Sequence, residues 1–386
     1  MDFALTAEQT QFQDSVRRFA IRTLAEAALE RAHSEGFPWD VAERMAEQGL
    51  LGITIPESDG GQGGTLMDAV IAIQEVAQVC PRSADAIQAG NFGPIRTFAE
   101  YANAEQKARF LPSLLAGKAV IAVGMSEPEA GSAVTDLKTT ATRDGDGFRI
   151  DGTKVFTSNS PEANVFLVYV RFGPGVEGIG SVLVERGTPG FSFGRPTRFV
   201  GGDSWQQLYF ENCRIGRENL LLGPGGFKKQ LRGFNAERLG NASRALAVGR
   251  LAFEIARKHA TERIQFGRPL CEFQGIQWKF AEVAMELEAA QLLLYRAAVN
   301  ADKGLPSAYE TSLAKAYCNQ AGFRAANEAM QVLGGLGYTE ESLVEYCLRR
   351  TRGWMIAGGS VEIMKNRIAE FVFDRRFPQK PRRAAE

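Results

Sequence analysis

The spacing of hydrophobic positions divides the chain into three parts. Up to about residue 118, apolar and small residues recur at helical intervals, most clearly over 40–49 and 67–80. Thr6-Ala-Glu-Gln9 has the form of a capping box and predicts a helix starting there. The turn formers of Ile55–Gly64 predict a loop, and Gly117 a helix stop. From about 120 to 225, β-branched and aromatic residues alternate with polar ones. Phe148–Phe156 carries a hairpin signal at Asp151-Gly152, and Asn164–Phe172 predicts a strand buried on both faces. Ser181–Glu185 and Gln207–Phe210 predict further short strands. From about 226 the helical period returns, with Leu239, Leu246 and Phe253 seven apart and Ala242, Gly249 and Ala256 beside them. Long helices are predicted over about 272–303 and 307–333, the second ending at Gly334-Gly335, and a last one over about 360–373. The expected fold is α+β and multidomain: an N-terminal helical domain (1–119), a small antiparallel β-barrel domain (120–225) and a C-terminal four-helix bundle (226–386).

Composition narrows the function. The chain has 386 residues, long for one core. Its 45 basic residues balance 45 acidic ones, so no global field draws it to nucleic acid or an anionic membrane. No apolar run is long enough to span a bilayer, and the start of the chain lacks a basic and apolar leader, so a cytoplasmic location is expected. Five scattered cysteines argue against a disulfide framework or a zinc site. Only His33 and His259 are available as imidazoles, and no metal site is expected. Gly173-Pro-Gly-Val-Glu-Gly178 matches a dinucleotide fingerprint, but a strand rather than a helix follows it. It reads as the connection of a β-hairpin.

Four motifs resemble, in order and spacing, those of the acyl-CoA dehydrogenase family over essentially the whole chain. They are Met125-Ser-Glu-Pro-Glu-Ala-Gly-Ser132, Lys154-Val-Phe-Thr-Ser-Asn159, Arg263-Ile-Gln-Phe-Gly-Arg-Pro-Leu-Cys-Glu-Phe-Gln274, and Gln331–Tyr338 taken with Gly358-Gly-Ser-Val-Glu-Ile363. The resemblance implies FAD as cofactor and an acyl-CoA as substrate. A flavin ring is flat and needs hydrogen bonds along one edge. Met125, Ser126, Thr157 and Ser158 are suited to supply them, and Phe156 to pack on the ring face. By resemblance Ser158 lies near the reactive nitrogen, and Ser132 where flavin and substrate meet. Arg263, Phe266, Gln274, Gln331 and Gly335 correspond to the site for the diphosphate and adenosine end, reached from a neighbouring subunit. Ser360 and Glu362 are expected to contact the cofactor. The resemblance thus implies a homo-oligomer, a dimer of dimers, with an electron-transfer flavoprotein as acceptor.

Desaturation next to a thioester requires a carboxylate to remove the α-proton while hydrogen bonds hold the thioester oxygen. Most of the family place a glutamate at the position occupied here by Gly358, which cannot be a base. Isovaleryl-CoA and long-chain-type members carry it on a bundle helix, in a context similar to Asn235-Ala-Glu-Arg-Leu-Gly240. Glu237 is therefore the expected base, with Arg238 near the CoA moiety and the Gly358 N–H on the thioester oxygen. Alone, Glu237 reads as an acid at the start of a helix, favoured by the macrodipole.

Other readings stay open. The segment Glu272–Trp278 resembles a sulfinopropionyl-CoA desulfinase, a lyase of the same superfamily, although an acid-binding arginine is absent from Ala84-Asp85-Ala86. The acyl group could ride on a carrier protein instead of CoA. A flavin-binding scaffold without activity is the non-enzymatic alternative.

Overall fold

The computed structural model describes residues 4–378. The outermost residues assigned above to the first and third domains, 1–3 and 379–386, lie outside the described residues. The first part contains α1 (Ala7–Leu24), α2 (Ala28–His33), α3 (Trp39–Glu47), α4 (Leu66–Val79), α5 (Ala84–Asn91), α6 (Pro94–Tyr101) and α7 (Ala104–Leu115). The Thr6 capping box is present: Gln9 N–H donates to the Thr6 hydroxyl, and Thr6 N–H donates to the Gln9 side chain, both at 3.1 Å. Helix α4 is buried on nearly every face from Leu66 to Ala77. That fits a helix covered on more than one side, and its uniform hydrophobicity follows.

Nine strands form one sheet: β1 (Ile121–Gly124), β2 (Thr140–Asp144), β3 (Gly147–Ser158), β4 (Val165–Arg171), β5 (Ile179–Glu185), β6 (Phe191–Phe193), β7 (Thr197–Arg198), β8 (Ser204–Ile215) and β9 (Leu220–Leu222). Their order is β6-β8-β3-β2-β4-β5-β9, with β1 beside β4 and β7 beside β8. Strand β4 is buried through Val165–Val170, as its unbroken apolar run requires. The Gly173–Gly178 segment does connect the antiparallel pair β4 and β5.

Two expectations fail here. The sheet is not wholly antiparallel, because β1 runs parallel to β4 over four residue pairs and β2 meets β4 in parallel at Thr140 and Arg171. Asp151-Gly152 is not a hairpin turn either. It lies inside β3, and the turn falls earlier, between Asp144 and Gly147. Gly152 instead marks a bulge against β8. Its φ is +147°, and a Cβ there would stand 2.7 Å from the Cα of Thr139.

The last part holds α8 (Phe227–Glu262), a two-stranded ribbon of β10 (Ile264–Gln265) and β11 (Arg268–Pro269), then α9 (Gln274–Val299), α10 (Ala308–Leu333), α11 (Leu343–Trp354) and α12 (Val361–Val372). Three helices are long rather than four. The Gly334–Tyr338 stretch breaks the chain after α10, and the fourth position is shared by the short α11 and α12. Helices α8 and α10 cross with little between them. A Cβ on Gly322 would sit 2.1 Å from the Ala245 carbonyl oxygen, so only glycine permits this approach. The close crossing fixes where the side chains of α8 and α10 meet the loop between α11 and α12.

Candidate active site

Glu237 lies well inside α8, which begins at Phe227. It is therefore not a first-turn acid, and the macrodipole reading of this residue is removed. Its carboxylate faces Gly93, where a Cβ would come within 3.7 Å of Oε2. The Gln88 amide of α5 donates to the Glu237 carbonyl at 3.3 Å. A Cβ on Gly240 would be 2.3 Å from the Gln88 side-chain oxygen, so the bare backbone one turn below Glu237 is what admits Gln88 and Phe92. Glu237 keeps part of its surface open to this crevice. Burial nonetheless raises its carboxyl above the ordinary value, against the opposing pull of Arg244, Gln88, Lys315 and Arg238. Fully buried Tyr169 of β4 has Arg238 and Glu237 as its charged neighbours, which ties the β-sheet to this part of α8.

The loop after α11 closes over the same place. Gly358 and Gly359 have φ of +72° and +91°. Arg238 Nε donates to the Gly358 carbonyl at 3.0 Å, and its Nη1 to the Asn235 side chain at 3.0 Å. From below, Lys315 Nζ donates to the carbonyls of Trp354 (3.2 Å) and Gly359 (3.0 Å). Lys315 is fully buried, and burial pushes its ammonium down to about 7, with Arg238 adding to the effect and Glu237 opposing it. Among the described residues the Gly358 N–H meets no acceptor. The loop thus offers a free donor held from both sides by cationic side chains.

The flavin-type loops lie on the sheet. Lys154 of β3, fully buried, donates to Glu127 at 2.7 Å and to the Met125 carbonyl at 3.3 Å. Glu127 also accepts from the N–H groups of Lys138 (2.5 Å) and Thr139 (2.9 Å). Burial pushes the Lys154 ammonium down to about 8; at Glu127 burial works upward, but the Lys154 charge together with the hydrogen bonds from Lys154, Thr139 and Lys138 holds that carboxyl low. This pair pins the Met125–Ser126 turn onto β3. Phe156 has φ of +56° and is 60% exposed, with its ring 4.8 Å from Trp205. Thr157 is buried, and its hydroxyl has no partner. Ser158 and Ser132 are exposed. An outturned aromatic face, an unpaired hydroxyl and a pinned turn suit the edge and face of a flat, hydrogen-bonding ring. FAD fits these residues.

The other candidate cofactor residues stand apart. Arg263 caps the end of α8, Phe266 is 95% exposed at the tip of the β10–β11 ribbon, and Gln274, Gln331 and Gly335 are exposed. Among the described residues no hydrogen bond, ion pair or ring contact joins any of them to the sheet. Ser360 caps α12, accepting from the Ile363 N–H at 3.4 Å, and Glu362 points to solvent in the first turn of α12.

Sequence reading missed the buried cations. Lys315, Arg244 and Arg350 carry no motif. Their only signal is a charged residue at a position where helical spacing calls for an apolar one.

Residues 6–118, 122–213 and 224–373 match, in turn, the models for the acyl-CoA dehydrogenase N-terminal, middle and C-terminal domains. The chain is 32% identical over 386 residues to a 3-sulfinopropanoyl-CoA desulfinase of Paraburkholderia xenovorans, covering 98% of this chain and 99% of that protein. It is 33% identical to an acyl-CoA dehydrogenase of Bacillus subtilis, covering 95% and 98%. Among solved structures, butyryl-CoA dehydrogenase from Megasphaera elsdenii superposes with a TM-score of 0.90 at 29% identity, covering 97% of this chain and 100% of that one.

Proposed function

The chain belongs to the acyl-CoA dehydrogenase family, and from that premise we propose that it desaturates an acyl-CoA thioester between the α and β carbons with Glu237 as base. The observation that carries this reading is the pairing of a raised, crevice-facing carboxylate on α8 with a side-chain-free loop at Gly358. The Gly358 N–H donates to the thioester oxygen and stabilises the charge that develops on it as the α-proton leaves. Glu237 takes that proton, and a buried carboxylate is the stronger base because its charged form is poorly solvated. Arg238 and Lys315 hold the loop in register with the carboxylate. FAD held by Met125, Ser126, Phe156, Thr157 and Ser158, with Ser132 between ring and thioester, would supply the acceptor for the β-hydride.

Arg263, Phe266, Gln274, Gln331 and Gly335 would bind the diphosphate and adenosine end in a neighbouring copy, since one chain leaves them apart from the flavin loops, and Ser360 and Glu362 would contact the cofactor. A homo-oligomer is supported by Trp278, Met285, Leu292 and Val299. They lie seven apart on α9, and all four are exposed. The electron acceptor we propose is an electron-transfer flavoprotein.

The desulfinase-like relative favours a second reading, a lyase that keeps the flavin without net oxidation. Anaerobic titration of the FAD-loaded protein with straight, branched and dicarboxylic acyl-CoAs separates the two. The dehydrogenase bleaches its flavin with at least one of them, and Glu237→Gln abolishes the bleaching. Release of sulfinate with the flavin left oxidised identifies the lyase.

A further inference from the structure

Two turns below Glu237 on α8, Arg244 enters a buried knot of charge. Asp85 Oδ1 accepts from Arg244 at 2.5 Å and from Arg350 at 2.6 Å, and Asp85 Oδ2 accepts from Arg82 at 2.9 Å. Asp203 accepts from Arg82 and Arg350 as well. Both carboxylates are thereby saturated with guanidinium donors. Three cations face two anions, so the knot keeps one positive charge unpaired. Widening the count to Glu162 and Arg186, whose charges act on each other beside Arg82, leaves the same surplus.

The surplus sits at Arg244. Arg82 and Arg350 each bridge both aspartates, whereas Arg244 touches only one. Its Nε is buried with no partner, as is that of Arg350, and the Gln88 side-chain oxygen is also buried without one. Trp354 of α11 covers the Arg244 guanidinium at 4.8 Å. A buried cation with unused donors is costly unless something arrives to use them.

Its position names the visitor. On antiparallel tracks, α8 runs Glu237, Gly240, Arg244 while α5 runs Phe92, Gln88, Asp85. We infer that this knot is the floor of the acyl pocket and that Arg244 receives the anionic end of a short acyl-CoA, a terminal carboxylate or sulfinate. The inference rests on the acyl-CoA reading above. Seven residues of helix separate Glu237 and Arg244 by ~10 Å, a span on the order of a short acyl chain. The guanidinium missing from Ala84-Asp85-Ala86 is thus supplied from other helices, onto Asp85 itself.

The test is calorimetric binding to the Glu237→Gln protein carrying its FAD, so that turnover does not intervene. The ligands are glutaryl-CoA, 3-sulfinopropanoyl-CoA and the neutral pentanoyl-CoA. One charge-assisted pair in a buried site predicts that an anionic ligand binds roughly 10- to 100-fold tighter than pentanoyl-CoA. Whichever anionic ligand binds tighter identifies carboxylate or sulfinate as the group. Adding Arg244→Gln should erase the preference by weakening the anionic ligand. Pentanoyl-CoA binding as tightly as both anionic ligands overturns the inference and leaves the desaturation reading intact. Arg244→Gln weakening all three equally overturns it too, by showing a structural knot alone. Failure of every acyl-CoA to bind would remove the functional reading beneath it. The comparison on the Glu237→Gln protein stands even where the double variant does not fold.

Discussion

Arg238 Nε and the Gly358 carbonyl oxygen are joined by a 3.0 Å hydrogen bond, so the neighbour of the proposed base holds the loop from which the family's more usual base is missing. The two halves of the proposed chemistry are therefore linked directly. Arg238→Met should release the loop while leaving Glu237 in place. We expect kcat to fall about 10- to 100-fold with a smaller change in KM, since a donor to the thioester oxygen matters most as charge develops. A loss confined to KM, read by steady-state assay, would assign Arg238 to CoA binding alone.

Glu237→Gln removes the proposed base and keeps the shape. General-base loss predicts a fall in kcat of about 100- to 10,000-fold. Burial raises the Glu237 carboxyl, and only its ionised form accepts a proton. Activity should thus rise with pH along a limb centred above the ordinary glutamate value of 4.5. A plot of log kcat/KM against pH that is flat from pH 4.5 upward would contradict this.

Much of this site was legible in the chain and some was not, for definite reasons. Thr157, Ser158 and Phe156 belong to a contiguous motif, and their local backbone, including the positive φ of Phe156, is set by neighbours a few residues away. Glu237 was legible only through the absence at Gly358. Its depth within α8 was not, because helix starts without a side-chain cap leave no mark, and α8 begins at an uncapped Gly226. Asp151-Gly152 carries hairpin chemistry, yet a bulge uses the same residues; the choice depends on Thr139, which lies across the sheet. The charge knot at Asp85 draws on residues 82, 85, 203, 244 and 350, and no local pattern joins positions so far apart.

The exposed stripe on α9 predicts assembly. Met285→Glu with Leu292→Glu places two charges on a surface where Met285 is 67% and Leu292 46% exposed. If the stripe is an interface, the double variant should sediment as a smaller species than the unaltered protein and should lose FAD on gel filtration. Sedimentation of the unaltered protein as a monomer would refute the shared cofactor site.

The Glu127–Lys154 pair predicts a non-additive cycle. Each partner is buried, so removing one strands a charge. Lys154→Met alone should destabilise the protein by about 3–5 kcal/mol. Lys154→Met with Glu127→Leu should recover part of that loss, because no unpaired charge remains. FAD retention should not recover, since Met125 loses its donor in both variants. Chemical denaturation and the flavin-to-protein absorbance ratio read the two effects separately. Equal retention of FAD in all variants would mean that the pair does not hold the Met125–Ser126 turn.

Lys315 predicts a pH dependence of stability opposite to that of a paired surface lysine. Burial lowers its folded value to about 7, while an ordinary lysine, as in the unfolded chain, titrates near 10.5. Between these values the unfolded chain binds more protons than the folded one, so stability rises with pH across that window. Below about 7 both states are protonated and the cost of burying the ammonium is fully present. Above 10.5 both are neutral and it is gone. Lys315→Met removes the titrating group, and its stability should lack this component. Urea unfolding of both proteins at pH 6.5, 8 and 9.5 measures the difference. The unaltered protein should gain on the variant at each step upward; parallel curves would show that Lys315 keeps an ordinary value and is charged where it holds the Gly359 carbonyl.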